Sequence, residues 1–155
     1  MSDGATIDEN PLLLERQVCF ALAVANRSVL KIYRRLLEPL GLTHPQYLVM
    51  LALWETSPRA VKEIGHVLQL DSATLSPLLK RLEAAGLVVR SRRGDDERNV
   101  DIALTDAGRE LRTQALDIPP AVVAALGVDM SDLEELHSVL TRVNAAALRA
   151  ESAEP

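Results

Sequence analysis

One segment of the chain, residues 61–104, has a pattern that few small folds can accommodate. Its first apolar residues recur at spacings of three and four, which places them on one face of a helix. These residues are Val61, Ile64, Val67 and Leu68. Asp71 is then a favourable N-cap for a second helix over residues 72–85, which Gly86 ends. A short turn therefore joins two helices, in the arrangement called a helix-turn-helix.

A two-stranded hairpin is predicted directly after the second helix. Residues 87–90 and 100–104 read as strands, and the second alternates apolar and polar positions. The turn between them is polar and contains Gly94. Two helices followed by such a ribbon form a winged helix-turn-helix, which holds DNA. We therefore predict a mainly α fold with a small β-wing, of the α+β class.

The second helix has one narrow apolar face and one small, polar face. Leucines make the apolar face: Leu75, Leu78, Leu79 and Leu82. The opposite side is small, hydroxylated and basic, with Ser72, Ala73, Thr74, Ser76, Pro77, Lys80 and Arg81 as candidate DNA-binding residues. Hydroxyls can bind base edges or phosphates in a major groove, and cations can bind the backbone. Pro77 lacks a backbone N–H, so we expect a tight or kinked first turn.

The hairpin adds further candidates for DNA contact. Arg92, Arg93 and Asp96 lie in or beside the wing, and Arg98 is placed to enter a minor groove. The carboxylates of Asp96 and Glu97 could hold the Arg98 guanidinium in position. The alternative is an ordinary solvated turn of acidic and basic residues.

The distribution of charge favours nucleic acid more than the net charge does. The chain has 17 Lys and Arg against 22 Asp and Glu, a net charge of −5. Between residues 72 and 93, however, five basic residues and one acid, Glu83, give a local charge of +4. This placement favours DNA binding over a winged helix used only for protein contacts.

Length and composition indicate one globular domain in a reducing compartment. The chain has 155 residues, of which 48% are hydrophobic. We expect a domain over residues 11–150 between flexible ends, 1–10 and 151–155. No secretory signal or membrane-spanning segment is evident, and a single cysteine, Cys19, cannot form an intrachain disulfide. We therefore expect a cytoplasmic protein, without a cofactor, a metal site or a membrane partner.

Both ends of the chain are predicted to be helical and unusually apolar. Helices are expected over residues 12–37, over 107–125 with a disturbance at Pro119 and Pro120, and over 132–149. Ser131 and Glu134 resemble a capping box for the last helix. That helix has an apolar stripe, Leu133, Leu136, Val139, Leu140 and Val143, which needs a partner.

Packing these terminal helices against a second copy would make a homodimer. The dimerisation helices would then be residues 11–38 and 106–150, on either side of a winged helix over residues 44–104. A symmetric dimer would present two DNA-reading helices to successive major grooves of a near-palindromic site. The alternative is a monomer in which the stripe packs within the chain.

Several segments together resemble the MarR family of regulators. Thr43 and Gln46 form a capping pattern before a helix that carries Leu48, Leu51, Leu53 and Trp54. The matching segments are LERQVCFAL, HPQYLVMLALWE, LDSATLSPLLKRLE, GDDERNV and LTDAGREL, spread from Leu14 to about Leu140. Within that family the chain is similar to the one-cysteine organic hydroperoxide resistance regulators.

This resemblance implies a dimeric repressor that releases its operator when Cys19 is oxidised by an organic hydroperoxide. A lone cysteine in an apolar helix is ordinarily an inert small hydrophobe. A sensing thiolate would instead attack the peroxide and form a sulfenic acid. Because the chain has no second cysteine, oxidation should end in a mixed disulfide with a small-molecule thiol or in overoxidation.

The resemblance also implies residues that stabilise the thiolate. Similar proteins use two tyrosine hydroxyls; Tyr33 matches one, whereas His44 occupies the position of the other, and Tyr47 is a candidate to replace the missing hydroxyl. Cys19 and Tyr33 would lie about 21 Å apart along one helix, so contact requires Tyr33 of the other subunit. The alternatives are an interfacial core tyrosine and a histidine that only begins a capped helix.

Two other functions remain open at this point. Other members of the broad family release DNA on binding an anionic or phenolic ligand, in which case Cys19 would be incidental. A thiol peroxidase would use Cys19 as a nucleophile, but the chain has neither a resolving cysteine nor the spacing of a metal site or catalytic triad. We therefore predict a regulator without catalytic residues.

Overall fold

The computed structural model describes residues 10–92 and 99–153, which form seven α-helices and three strands. The helices are α1 (Val18–Leu37), α2 (His44–Glu55), α3 (Val61–Leu68), α4 (Ser72–Ala84), α5 (Asp106–Ala115), α6 (Ile118–Leu126) and α7 (Met130–Ser152). The strands are β1 (Arg59–Ala60), β2 (Val88–Arg92) and β3 (Val100–Leu104), and single 3-10 turns span Leu14–Arg16 and Glu38–Leu40. The predicted winged α+β architecture is confirmed.

Side-chain caps begin two helices of the DNA-binding half, α2 and α4. Before α2, the Thr43 hydroxyl accepts from the Gln46 backbone N–H and the Gln46 side chain accepts from the Thr43 N–H, so the predicted capping box is present. The Asp71 carboxylate accepts from the Thr74 N–H at 2.7 Å and begins α4. Pro77 does not delay this helix, which is α-helical from Ser72 onward. Gly86 follows its end with φ +75°, a conformation that glycine adopts without strain.

The wing is the larger part of a three-stranded antiparallel sheet of order β1-β3-β2. In β2 and β3 the register runs from Val88 opposite Leu104 to Arg92 opposite Val100. The first predicted strand is displaced by one residue and extends to Arg92. Sequence reasoning missed β1, because two residues are too few for a periodic signal. The predicted turn contacts of Arg93, Asp96 and Arg98 lie outside the described residues.

Most of the hydrophobic core lies in the DNA-binding half of the molecule, and Ala115, Ile118 and Val122 of α5 and α6 extend it. Leu37, Met50, Leu53, Ile64, Val88 and Ile102 meet the four leucines of α4, all of them buried. Two apolar residues on the predicted helices are exposed. Val67 lies in the last turn of α3, in an open cleft that Leu148 of α7 also lines, and Leu51 lies on the side of α2 that borders an open notch beside α5.

The terminal helices differ from prediction at their starts. The first begins at Val18 and not at residue 12, because Gln17 has an extended backbone and its side-chain amide donates to the carbonyls of Pro11 and Leu13. The helix expected over 107–125 is two helices, α5 and α6. Pro119 and Pro120 lie in the first turn of α6, where a missing N–H costs nothing, but they could not continue α5.

The last helix also begins earlier than predicted, at Met130. Its N-cap is Asp129, so Ser131 is already helical and the expected capping box with Glu134 is wrong. The helix has no buried residue. Leu133 of its predicted apolar stripe is partly buried, and the other four residues are exposed: Leu136, Val139, Leu140 and Val143. In residues 10–92 and 99–153, no helix combines the length and apolar character that a membrane crossing requires.

Candidate DNA-binding surface and redox site

The outer face of α4, which we call the recognition helix, is held in place by its buried face. Leu75, Leu78, Leu79 and Leu82 are buried in the core, so the opposite face is turned outward. The candidate residues on it are exposed, apart from a partly buried Ser76: Ser72, Ala73, Thr74, Pro77, Lys80 and Arg81. This face combines hydroxyls with two cations and has little bulk, as predicted.

The start of the recognition helix is fixed by a charged cap. The backbone N–H of Thr74 donates to the Asp71 carboxylate, and this bond lowers the pKa of Asp71. The carboxylate therefore stays ionised at neutral pH, where it also interacts favourably with the positive end of the helix dipole. Ser72, Ala73 and Thr74 follow this cap directly and are presented at the amino-terminal end of the helix.

Wing strand β2 presents two arginines beside the recognition helix. Arg90 and Arg92 are both exposed, and as alternate residues of a strand they point to the same side of the sheet. Sequence reasoning counted Arg90 in the local charge but did not assign it to the DNA-binding site. The two-residue spacing between Arg90 and Arg92 in the sequence could have identified Arg90 as a candidate.

One acid partly offsets this basic surface. The Glu83 carboxylate of the recognition helix lies 3.5 Å from Nε of Arg90. Lys80, Glu83, Ala84 and Arg90 line a shallow cleft, so the helix and the wing strand present one continuous surface. The field at this surface is therefore weaker than the basic residues alone would produce.

Three of the four predicted redox-site residues meet within one chain. The ring centroids of Tyr33 and His44 are 4.7 Å apart, in an edge-to-face arrangement. Tyr47 lies 6.0 Å from Tyr33 and 6.3 Å from His44. We call Tyr33, His44 and Tyr47 the aromatic cluster. It forms because the capping box begins α2 at His44 and thereby turns His44 and Tyr47 toward α1.

Burial keeps the aromatic cluster uncharged. It lowers the pKa of His44, so the imidazole is neutral at neutral pH. It raises the pKa of Tyr33, and the pKa of Tyr47 is raised by burial and, to a lesser extent, by Tyr33. The cluster therefore offers neutral N–H and O–H groups and no positive charge.

Cys19 lies away from the aromatic cluster of its own chain. It is exposed, one residue after the start of α1, and Tyr33 belongs to the same continuous helix. Fourteen residues at 1.5 Å each separate the two along the axis by about 21 Å. Phe20 and Val24, next to the cysteine on α1, are exposed as well. One chain thus contains both parts of the predicted redox site but does not assemble them.

A cleft lies between α1 and α2, and His44 is one of the residues that line it. Its volume is about 590 Å³, and it is lined by Leu30, Arg34, Glu38, Gly41, Leu42, Thr43, His44 and Pro45. It joins an arginine and a hydroxyl to apolar walls, as small-molecule sites commonly do. Within residues 10–92 and 99–153, no group of three His, Cys, Asp or Glu side chains is arranged to hold a metal ion.

Comparison with known proteins agrees with this architecture. The family described as transcriptional regulator SarA/Rot matches residues 31–114. The organic hydroperoxide resistance transcriptional regulator of Bacillus subtilis is 45% identical over 127 residues, which cover 82% of this chain and 86% of that protein. Both matches span the recognition helix and the aromatic cluster.

A solved regulator similar to this chain has been seen on DNA in more than one redox state. Reduced AbfR bound to DNA superposes with a TM-score of 0.74 at 32% identity, over 87% of this chain and 94% of that one. Overoxidised AbfR bound to DNA gives a TM-score of 0.68 at 37% identity, over 84% of this chain and 94% of that one. AbfR is a protein of Staphylococcus epidermidis. Together with the exposed basic face of α4, these matches show that the chain belongs to the MarR family of DNA-binding transcriptional regulators, in its SarA/Rot-like group.

Proposed function

We propose that this protein is a homodimeric, cytoplasmic repressor that binds a near-palindromic operator and releases it when an organic hydroperoxide oxidises Cys19. The observation that carries the proposal is the separation of Cys19 from the aromatic cluster along α1. Cys19 lies in the part of α1 with exposed neighbours, and the cluster lies in the part that packs on α2. A second chain that brings its own Cys19 to this cluster would complete the site.

The apolar surface of the terminal helices supports the dimer. In α7, Leu136, Val139, Leu140 and Val143 form a stripe that the chain leaves uncovered, and Phe20 and Val24 on α1 are exposed as well. A monomeric soluble protein seldom exposes an apolar stripe of this kind. We therefore assign dimerisation to α1 and α5–α7, which would pack against the same helices of the second chain. We assign DNA binding to the segment from α2 to β3 in each chain.

The proposed chemistry needs only the thiolate, the peroxide and a small thiol. The thiolate sulfur attacks the terminal peroxide oxygen, the O–O bond breaks, and the alkoxide takes a proton and leaves as an alcohol. Sulfur is oxidised to sulfenic acid while the peroxide is reduced. A small-molecule thiol then attacks the sulfenic sulfur, forming a mixed disulfide and releasing water.

The aromatic cluster would support this chemistry by hydrogen bonding. A neutral imidazole of His44, or the hydroxyl of Tyr33 or Tyr47, can donate to the thiolate of the other chain. Because the imidazole is neutral, it would stabilise the thiolate less than an imidazolium would. Tyr33 therefore becomes the principal candidate donor, with His44 and Tyr47 orienting its ring.

We infer that release follows the mixed disulfide and not overoxidation. Overoxidised AbfR has been seen bound to DNA, so in that protein added oxygen atoms are compatible with binding. A mixed disulfide adds a far larger group at the dimer seam. It would displace the first helices, change the separation of the two recognition helices and prevent both from reaching their half-sites.

The test is DNA binding followed by fluorescence anisotropy with a duplex from the region upstream of the protein's own coding sequence. Wild type and Cys19→Ser are measured reduced, after a stoichiometric organic hydroperoxide, and after hydroperoxide with a small thiol. We expect equal affinity of the reduced proteins and loss of binding only for wild type with both reagents. Equal loss in both proteins, or loss in neither, would contradict the role of Cys19.

The cleft between α1 and α2 supports a second candidate function, release by a small anionic or phenolic ligand. Arg34 and Thr43 in this cleft could bind a carboxylate or hydroxyl while Leu30 and Leu42 contact an apolar ring. Cys19→Ser would then respond to the ligand as wild type does, and Arg34→Met would not. Hydroperoxide without such a ligand would leave DNA binding intact.

We also propose that the protein does not turn over peroxide as an enzyme. A peroxidase must regenerate its thiol in each cycle, and the sequence has no resolving cysteine for this step. Steady-state consumption of hydroperoxide with a small thiol in excess should therefore slow sharply after about one equivalent per chain, because a second thiol must first reduce the mixed disulfide by exchange. Continued turnover would contradict this proposal.

A further inference from the structure

A buried arginine at the base of the wing has no part in the functions described so far. Arg59 lies in β1, and its side chain is only 8% exposed. Its Nε is 3.6 Å from an Oε1 of Glu63, and its Nη2 is 3.9 Å from an Oε1 of Glu55. Both carboxylates are largely exposed, so a buried guanidinium sits loosely between two surface acids.

This arrangement is a poor way to stabilise a fold. Within the part of the chain that the structure describes, Nε and Nη1 of Arg59 have no hydrogen-bond partner. Burying a charge whose donors are incompletely satisfied is costly, and an apolar side chain of similar size would fill the same space at less cost. The arginine therefore calls for an explanation other than stability.

The position of Arg59 connects the three parts of the DNA-binding unit. Glu55 is the last residue of α2, and Glu63 lies in the first turn of α3, the first helix of the helix-turn-helix. Arg59 itself is paired with Ile102 of β3, the central strand of the wing sheet. One guanidinium thus faces the end of one helix and the start of the next, while its backbone holds the wing.

The backbone alone gives the wing little orientation. Only two residue pairs join β1 to β3, Arg59 with Ile102 and Ala60 with Asp101. One further tie is the Ser57 hydroxyl, which accepts from the Leu104 backbone N–H at 3.0 Å. Val88 and Ile102 hold the base of the sheet in the core, and the ion pairs of Arg59 add a charged tie between β1 and the facing ends of α2 and α3.

We propose that Arg59 is a positioning residue for DNA binding, which fixes the angle between the wing and the helix-turn-helix. With that angle fixed, the recognition helix enters the major groove while the wing reaches the neighbouring minor groove. The inference concerns the reduced, DNA-bound protein and is independent of Cys19 chemistry.

The test uses Arg59→Met in the full-length, reduced protein on the same upstream duplex. Hydroxyl-radical cleavage reports wing protection in the minor groove, and methylation of guanine N7 reports the recognition helix in the major groove. We expect minor-groove protection to fade, major-groove protection to persist and affinity to fall about tenfold, the size expected for losing one arginine-dependent set of groove contacts. Tm should stay close to that of wild type, because methionine fills the same space without a charge.

Two outcomes would overturn the proposal. One is a footprint and an affinity equal to those of wild type. The other is loss of both protections together with a lowered Tm, which would make Arg59 a structural residue only. Arg109→Met is the matched control: Arg109 is exposed on α5 and paired with Asp106 at 3.2 Å, and its loss should change neither protection.

Glu63→Gln provides a second variant, because it alters an exposed side chain and leaves the buried arginine in place. Removing one of the two carboxylates should weaken minor-groove protection in the same direction and lower affinity by about threefold. Glu63→Gln with unchanged wing protection would overturn the proposal even if Arg59→Met failed to fold.

Discussion

Two helices of this protein, α4 and α7, differ in how many of their residues are buried. The recognition helix α4 has 13 residues and buries four leucines in the core. The last helix, α7, has 23 residues and buries none of them. Helices in proteins are stabilised mainly by packing one apolar face, so α4 is supported by its own chain, whereas the apolar stripe of α7 lies uncovered in this structure. This contrast supports the proposed dimer, in which a second chain would cover α7.

Helix α1 belongs to both regions. Its carboxyl-terminal part buries Leu37 and packs Tyr33 against α2, whereas its amino-terminal part leaves Val18, Cys19 and Phe20 exposed. The cysteine thus lies in the uncovered part of the helix, and the tyrosine lies in the part that packs on α2. In the proposed dimer, a redox change at Cys19 would act where the chains meet and reach α2, and through it the recognition helix, by direct packing.

The largest expected effect tests whether α7 is an interface. Leu136→Asp combined with Leu140→Asp places two carboxylates in the exposed apolar stripe. Because full burial of one leucine contributes about 1.5–3 kcal/mol and both chains carry the change, dimerisation should weaken by at least about a thousandfold. Sedimentation velocity measures this, and operator affinity should fall with it.

Ser138→Asp is the matched control for this change. Ser138 lies two residues from Leu136 and so on the opposite side of the helix. It should leave the dimer intact. If both aspartate variants dissociate, or neither does, the interface does not follow the apolar stripe and the contrast between α4 and α7 loses its basis.

The next effect concerns the other side of the contrast, the core beneath α4. Leu79→Ala should lower the free energy of unfolding by about 2–5 kcal/mol, because it leaves a cavity beside fully buried neighbours. Urea unfolding in the monomeric Leu136→Asp/Leu140→Asp background measures this without a dimer equilibrium. Val139→Ala in the same background should change it by less than about 0.5 kcal/mol. A comparable loss for Val139→Ala would mean that α7 packs on its own chain.

Sequence predicted the DNA-binding half better than the ends, for a physical reason. In α2 and α4, caps and apolar spacing act over a few residues and agree with the core. The same capping pattern failed at Ser131 and Glu134, because α6 ends at a left-handed Gly127 and the chain re-enters a helix at Met130. Strand β1 was missed because only its pairing with β3 makes it a strand.

The candidate site shows the same limit. Sequence identified Tyr33, His44 and Tyr47 by type, but their mutual contact depends on how α1 crosses α2. The proximity of Glu83 to Arg90 likewise joins a helix and a strand through tertiary packing. The burial of Arg59 has no signal in the sequence at all, since an arginine between Pro58 and Ala60 reads as an exposed loop residue.

A smaller effect is expected at Glu83, the acid of the recognition helix that offsets the positive charge of Arg90 on the wing strand. Glu83→Gln removes the only acid between residues 72 and 92 and releases Arg90 from its carboxylate. Operator affinity should rise by about threefold. The slope of log affinity against log salt concentration should steepen by the amount expected for about one additional phosphate contact. Anisotropy titrations at several salt concentrations measure both. Glu110→Gln, in α5, should have neither effect. A fall in affinity would instead mean that Glu83 orients Arg90 for DNA.

The smallest effect concerns His44, where the two regions meet. Burial lowers the pKa of His44 in the folded protein below its usual 6.5. At pH values between this lowered pKa and 6.5, the unfolded chain therefore binds more protons than the folded one. Stability contributed by neutral His44 is therefore present above about pH 6.5 and is lost as pH falls toward the lowered pKa. The ring is only half-buried, so Tm should drop by about 2 °C more in wild type than in His44→Phe between about pH 7.5 and 5.5. His66→Phe, at an exposed histidine of α3, should behave as wild type does. An identical pH dependence in wild type and His44→Phe would show that protonation of His44 does not affect the packing of α1 on α2. Tyr33 would then remain the residue of the aromatic cluster that stabilises the Cys19 thiolate.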